Sequence, residues 1–305
     1  MSDVIAFIGL GRMGGPMAAN LVAAGHRVLG FDLVPEALDT AAAAGVETAD
    51  SAGAAAAAAD VVITMLPAGR HVLALYRDEG LLAAARPGTL FIDCSTIDVA
   101  DARAAHDAAV AAGHRALDAP VSGGVVGAEA ATLTFMAGGG EAEFTEAQPL
   151  LAAMGKRAVH CGGAGAGQAA KICNNMILGI SMIAVSEAFV LGESLGLSHQ
   201  ALYDVASTAS GQCWALTTNC PVPGPVPDSP ANRGYRPGFA APLMAKDLGL
   251  AAAALRAGGI DGGLGLRAAE MFAAFAEGDG AAQDFSAIVH VLRDTDTEPV
   301  KGSRS

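Results

Sequence analysis

FIGLGRMGGPMAANL, Phe7 to Leu21, decides the fold of this 305-residue chain. It follows the apolar run Val4 to Ile8 and opens an amphipathic stretch, so it reads as a strand, a glycine turn and a helix N-terminus. Gly9 allows a tight turn after the strand, Gly11 lets the backbone approach a pyrophosphate with no Cβ in the way, and Gly14 lets helix and strand pack closely. Leu10, Arg12 and Met13 complete the turn, and the unpaired N–H groups of the helix start would face the phosphates. A lone GxGxxG is a weak signal, because ordinary glycine turns match it. Here Arg27 to Phe31 supplies a second strand that ends at Asp32, about twenty residues beyond the turn, as a dinucleotide site requires.

Asp32 also bears on which dinucleotide is bound. A carboxylate there accepts hydrogen bonds from a ribose diol and repels a 2′-phosphate, and Leu33, Val34 and Pro35 offer no cation to neutralise one. NAD is therefore expected rather than NADP. The competing reading of Asp32 is a solvated strand-end acid.

Composition sets the outer bounds. The chain is long enough for two domains with separate cores, and 52% hydrophobic against 16% charged residues describes a folded globular protein. A net charge of −13 with 18 scattered Lys and Arg argues against nucleic acid as a partner and leaves small molecules. The five cysteines form no CxxC pair, and free thiols in a reducing cytoplasm account for them most simply. The cofactor strand begins by residue 4, so no cleaved targeting peptide is expected. Seven histidines in no ligand spacing predict no metal.

Downstream, apolar runs recur at Val61 to Leu66, Leu90 to Asp93, Ala116 to Ala119, Leu133 to Ala137 and Ala158 to Cys161, with helical stretches between them. That alternation predicts a doubly wound, mostly parallel α/β sheet of the Rossmann type over residues 1–163. From GGAGAGQ onward the texture changes. An apolar stretch from about Ala169 to Leu197 predicts one helix of roughly thirty residues, about 45 Å long. Lys171, Asn174, Asn175, Glu187 and Glu193 interrupt it too often for a lipid-facing span, so it reads as a long core helix joining two domains. Helices are expected at His199 to Ser207, Pro242 to Ala257, Leu264 to Ala276 and Ala281 to Arg293, giving an all-α domain over 164–295. The proline-rich Pro221 to Pro230 suits neither helix nor sheet, and 296–305 reads as a flexible tail.

Three segments carry the chemistry. In DAPVSGG, Asp118 to Gly124, a serine and two glycines at the carboxyl end of a parallel strand offer Ser122 Oγ and the N–H groups of Gly123 and Gly124 to a carboxylate, where an ordinary turn is the plainer alternative. In KICNN, Lys171, Asn174 and Asn175 share a helix face, and a cation with two amides on an apolar helix is costly to bury without a partner. Lysine there can exchange a proton with the hydroxyl of a carbon undergoing hydride transfer, although a lysine snorkelling at the domain junction is the plainer alternative. In GFAAPLMAKDLGLA, from Gly238, the residues Phe239, Lys246 and Asp247 lie near another helix start, and alone they read as a solvated turn.

Taken in order, the glycine turn, MLP at 65–67, DCST at 93–96, DAPVSGG, the Lys171-to-Asn175 pattern and MAKDLGLA at 244–251 resemble the β-hydroxyacid dehydrogenase family over nearly the whole chain. The resemblance implies a catalytic lysine at Lys171 and substrate contacts at Ser122, Gly123, Gly124, Asn174, Asn175, Trp214, Phe239 and Asp247. It implies cofactor contacts at Leu66, Pro67, Thr96 and Lys246, beside Gly9, Leu10, Gly11, Arg12, Met13, Gly14 and Asp32. SGQCW at 210–214, NCPVPG at 219–224 and the MAKDLGLA helix look most like members that oxidise (S)-3-hydroxyisobutyrate to methylmalonate semialdehyde in valine degradation. A tartronate semialdehyde reductase is the alternative within the fold, and a dinucleotide-sensing scaffold the alternative outside catalysis. A homodimer or homotetramer is implied as well. One departure stands out: where the family often has GTL after the serine loop, this chain has Ala131, Thr132 and Leu133.

Overall fold

The computed structural model describes residues 3–294, and the proposed tail at 296–305 lies outside them. Nine strands form one sheet: β1 (Val4–Ile8), β2 (Arg27–Phe31), β3 (Glu47–Thr48), β4 (Val61–Thr64), β5 (Leu90–Asp93), β6 (Arg115–Asp118), β7 (Val121–Ser122), β8 (Leu133–Gly139) and β9 (Gly155–Gly162). Their order is β3-β2-β1-β4-β5-β6-β8-β7, with β9 on the other flank of β8. Pairings from β3 through β6 are parallel, while β8 runs antiparallel to β6 and β7 and parallel to β9.

Burial on both faces explains why β1, β4 and β5 read as unbroken apolar runs. The two-residue period sends Ile5 and Phe7 to one side with Met17, Leu21 and Leu151, and Ala6 and Ile8 to the other with Ala55, Ala56 and Ala105. Two alanine-rich stretches of the chain, at 41–44 and 54–59, fall in or at the ends of the crossover helices Pro35–Ala43 and Ala52–Ala58. Ser51 caps the second by accepting from the Ala54 N–H.

The chain divides between Lys171 and Ile172 into two compact units, inside the helix Ala166–Ser194. The second unit is helical: beyond that long helix it contains His199–Ala206, Trp214–Thr217, Ala241–Ala257, Gly263–Glu277 and Val289–Asp294. Met182, Phe189, Met244, Leu248, Phe272, Phe285 and Ile288 form its core. Of an 18-residue apolar stretch of the long helix, 39% is buried. Residues 221–229 form neither helix nor strand. Asn232 holds that loop by accepting from the Gly224 N–H and donating to Val226 O, and Tyr235 Oη donates to Pro221 O.

The helix expected from Ala281 to Arg293 needs correction. Residues 285–288 form a 3-10 turn, and the α-helix begins only at Val289. Ala240 and Asp284 pair as an antiparallel bridge, and the Asp284 side chain caps the turn by accepting from the Ser286 N–H. Those backbone groups are committed elsewhere before a helix could start.

Candidate active site

Within the first unit, the glycine turn has the backbone it needs. Gly9 sits at φ +95°, where a Cβ would lie 2.3 Å from Met65 O, and a Cβ on Gly14 would lie 1.9 Å from Gly9 O. Both positions are closed to any other residue. Gly11 differs: it is exposed, and a Cβ there would meet no protein atom within 4 Å. No side chain caps the helix Gly14–Ala23 at its start, and its first turn carries no acid. Open amides and an open Gly11 suit a pyrophosphate.

Asp32 is held as well as placed. Its Oδ2 accepts from the Leu10 N–H (2.6 Å) and its Oδ1 from the Val34 N–H (2.9 Å), so it braces the glycine turn and keeps further lone pairs for a ribose. The Leu66 N–H donates to Ser95 Oγ (2.8 Å), which ties the loop after β4 to the loop after β5. Leu66 and Thr96 thereby share the carboxyl edge of the sheet with the glycine turn, and Pro67 is exposed on the same loop.

Ser122 needs a correction. It ends a two-residue strand bonded only to β8 and antiparallel to it, not a parallel strand. Pro120, which has no N–H, interrupts the chain after Asp118. The register along β8 nevertheless continues from Asp118 opposite Gly138 to Val121 opposite Phe135. Ser122 stays half-buried, followed by Gly123 at φ +138° and Gly124 at φ +64°. The departure at Ala131 has a backbone consequence, because this alanine sits at φ +53°, in the left-handed region.

The start of the long helix holds residues that sequence reasoning passed over. Asp118 Oδ1 accepts from the Gly165 N–H (2.7 Å) and Oδ2 from the Gln168 N–H (2.8 Å). Gln168, fully buried, donates from Nε2 to Ser95 O (2.7 Å) and accepts at Oε1 from the Ile97 N–H (3.1 Å). Asp93 Oδ1 accepts from Thr64 Oγ1 and from both Ser95 Oγ and N–H. Burial raises the pKa of both carboxyls. Hydrogen bonds from Ser95 and Thr64 oppose that rise at Asp93, and the Gln168 and Gly165 amides oppose it at Asp118. A polar residue among glycines just before an apolar helix was the available signal for Gln168.

Lys171 is buried, one turn further on. In the second unit, Asn175 is buried and donates to Asp247 Oδ2 (2.5 Å), while exposed Asn174 donates to Asn175 Oδ1 (2.9 Å). Asn174 thus braces Asn175 at the solvent rim. Asp247 and half-buried Lys246 belong to the helix Ala241–Ala257. Phe239 packs edge-on against Phe285 at 5.6 Å. Fully buried Asp284 accepts from the Gly238 and Phe239 N–H groups (2.9 Å each), and from Asn219 Nδ2 and Ser286 N–H and Oγ. Trp214 is half-exposed at the head of its short helix. Among the described residues no three His, Cys, Asp or Glu could hold a metal ion.

Comparison with known proteins identifies the family. Residues 4–163 match the family model of the NAD binding domain of 6-phosphogluconate dehydrogenase. Residues 165–292 match that of the NAD-binding domain of NADP-dependent 3-hydroxyisobutyrate dehydrogenase. The solved structure of Mycobacterium tuberculosis 3-hydroxyisobutyrate dehydrogenase with L-serine is 59% identical, with a TM-score of 0.93 over 96% of this chain and all of that one. A Pseudomonas aeruginosa 3-hydroxyisobutyrate dehydrogenase is 50% identical over 97% of this chain and its own full length. From the same organism, an NAD-dependent L-serine dehydrogenase is 48% identical over 93% of this chain and 96% of its own.

Proposed function

The chain belongs to the 3-hydroxyisobutyrate dehydrogenase family, NAD-dependent oxidoreductases acting on a CH–OH group, and from that membership we propose that it oxidises (S)-3-hydroxyisobutyrate to methylmalonate semialdehyde, with Lys171 moving the proton. The observation that carries this reading is the buried pair Lys171 and Asn175, four residues apart on one helix face, with Asn175 bonded to Asp247. A buried amine can take the hydroxyl proton while the carbon loses hydride. NAD bound at the glycine turn supplies the hydride acceptor.

Ser122 Oγ and the Gly123 and Gly124 N–H groups would hold the substrate carboxylate, since a hydroxyl and two amides at a glycine turn match an anion. Asn175 fixes the orientation of the lysine or of the substrate. Gly11, Leu66, Pro67, Thr96 and Lys246 would line the cofactor, and Asp32 favours NAD by charge. Trp214 and Phe239 would meet the apolar part of the substrate.

A second substrate reading has its own support. L-serine carries the same hydroxymethyl and carboxylate groups, and it accompanies the Mycobacterium tuberculosis structure and names one Pseudomonas aeruginosa relative. Assembly as a homodimer or homotetramer is supported by apolar residues left exposed on the long helix and in the turn that follows it: Ile177 at 64%, Leu191 at 59% and Leu195 at 71%. Five free cysteines favour a reducing compartment, which we take to be the cytoplasm.

The test is NADH formation from (S)-3-hydroxyisobutyrate, L-serine and other short 3-hydroxy acids, with NAD and NADP, for the parent and Lys171→Met. We expect the branched hydroxy acid with NAD to give the highest kcat/KM, and the variant to lose about 10²-fold or more in kcat with NAD affinity unchanged. A variant within a few-fold of the parent would remove Lys171 from the chemistry. A higher kcat/KM with L-serine would move the substrate assignment to the amino acid.

A further inference from the structure

Gln168 and Asp118 lie outside every role assigned above, yet together they fasten the start of the lysine-bearing helix. The helix enters over glycines: Gly165 is at φ +80°, and a Cβ on Gly167 would lie 2.2 Å from Met136 O and 2.7 Å from Asp118 O. With no side chain at 167 the helix start rests directly on β6 and β8. Asp118, the last residue of β6, then takes the Gly165 and Gln168 amides, one on each carboxylate oxygen. A carboxylate at the positive end of a 29-residue helix also has the favourable sign.

Gln168 extends that clamp sideways. Its amide group grips the 95–97 loop at two points, Ser95 O and Ile97 N–H. Ser95 in turn accepts from the Leu66 N–H through its hydroxyl and donates to Asp93 Oδ1. Bonds therefore run unbroken from the loop bearing Leu66, through the loop bearing Thr96, to the turn of helix that precedes Lys171. Gln168 is three residues before Lys171, one helical turn back, so rotation or fraying there displaces the amine by a comparable distance.

We propose that Gln168, anchored by Asp118, is a positioning residue for Lys171, fixing the amine relative to the cofactor loops. The proposal rests on the proton-transfer reading of Lys171. A side chain that acts only through Lys171 should matter only while Lys171 is present, and a double-mutant cycle measures that coupling. A misplacement of about 1 Å is enough to cost of the order of 10² in rate.

The experiment measures kcat, KM and NAD affinity by fluorescence titration for the parent, Gln168→Ala, Lys171→Met and the double variant, with the best hydroxy acid from the substrate panel. We expect Gln168→Ala to lower kcat tenfold or more, with KM and NAD affinity within threefold of the parent. In the Lys171→Met background we expect no further loss. A Gln168→Ala enzyme within threefold in kcat overturns the proposal. So does an equal loss in both backgrounds, which would make Gln168 a general support of the unit. An active Lys171→Met enzyme overturns the reading of Lys171 itself, which the other two results do not. If Gln168→Ala fails to fold, Asp118→Asn keeps one acceptor oxygen and is run through the same cycle, with a smaller drop confined to the Lys171 background expected.

Discussion

Asp118 and Asp284 each fix a segment that leads into a helix bearing proposed site residues, but they do so by different means. Asp118 ends a strand of the sheet and takes two amides at the head of the helix that bears Lys171. Asp284 stands before a 3-10 turn and takes the Gly238 and Phe239 amides, from a loop 45 and 46 residues earlier, together with Asn219 and Ser286. One is a sheet edge reaching for the element packed on it. The other is a knot among loops that no sheet supports. In the first unit the ladder fixes where the carboxylates stand, and Asp32, Asp93 and Asp118 all lie at or just beyond strand ends. In the helical unit one buried carboxylate substitutes for a ladder, so more should depend on it.

The largest expected effect follows. Asp284→Ala would take the shared acceptor from the part-buried Gly238 and Phe239 amides and from buried Asn219 and Ser286. With hydrogen bonds to charged groups at about 1.5–3 kcal/mol each, the loss should reach about 3–5 kcal/mol in urea unfolding. A loss under about 1 kcal/mol would show that the Ala240–Asp284 backbone bridge suffices alone and would break the contrast.

The strand-end carboxylates should change selectivity more than stability. Asp32→Asn with Leu33→Arg keeps an acceptor for the Leu10 amide, removes the charge and supplies a phosphate partner at an exposed position. The NADP-to-NAD ratio of kcat/KM should rise at least about tenfold, or about 1.4 kcal/mol. An unchanged ratio would leave Asp32 as a brace of the glycine turn only.

A smaller effect belongs to the loop after Ser122. Ala131→Gly should stabilise the sheet unit by about 0.5–1 kcal/mol, because left-handed backbone costs alanine about 1–2 kcal/mol and glycine's greater chain entropy returns part of that. A lower Tm than the parent would show that the strain is relieved by other contacts.

The least effect is expected at a half-exposed carboxylate of the helical unit. Glu193 is bonded to Arg293 and His199, and these contacts, with Arg293 the larger cause, hold its pKa below the ordinary glutamate value. A lowered folded pKa stabilises the protein above the unfolded value of about 4.3, and that contribution disappears as the pH falls through the folded pKa. Glu193→Gln should cost about 0.2–0.5 kcal/mol at pH 7, and progressively less as the pH falls through the folded pKa. A difference as large as that for Asp284, or one independent of pH, would erase the distinction between the exposed and buried carboxylates.

Local signals made much of this molecule readable before any coordinates. The glycine turn, the apolar strands and the acid after β2 depend on neighbours within a few residues or on a fixed spacing, so Gly9, Gly14, Asp32 and the parallel core were legible in the chain. That Lys171 and Asn175 share a helix was legible because a helix converts a spacing of four into a shared face. Ser122 was singled out for its chemistry but set on the wrong kind of strand, since only the register along β8 reveals the break at Pro120.

The sequence alone determined the α/β unit, the helical unit after it and the dinucleotide turn, because strand and helix periods and glycine backbone freedom are properties of short stretches. Only the tertiary structure decided that Asp118 clamps the helix 47 residues on, that Gln168 joins the 95–97 loop to that helix, and that Asp284 organises a loop 45 residues behind it. A hydrogen bond between distant residues leaves no period in the sequence. It exists because a buried amide or carboxylate must find a partner, and the folded backbone determines which partner is within reach.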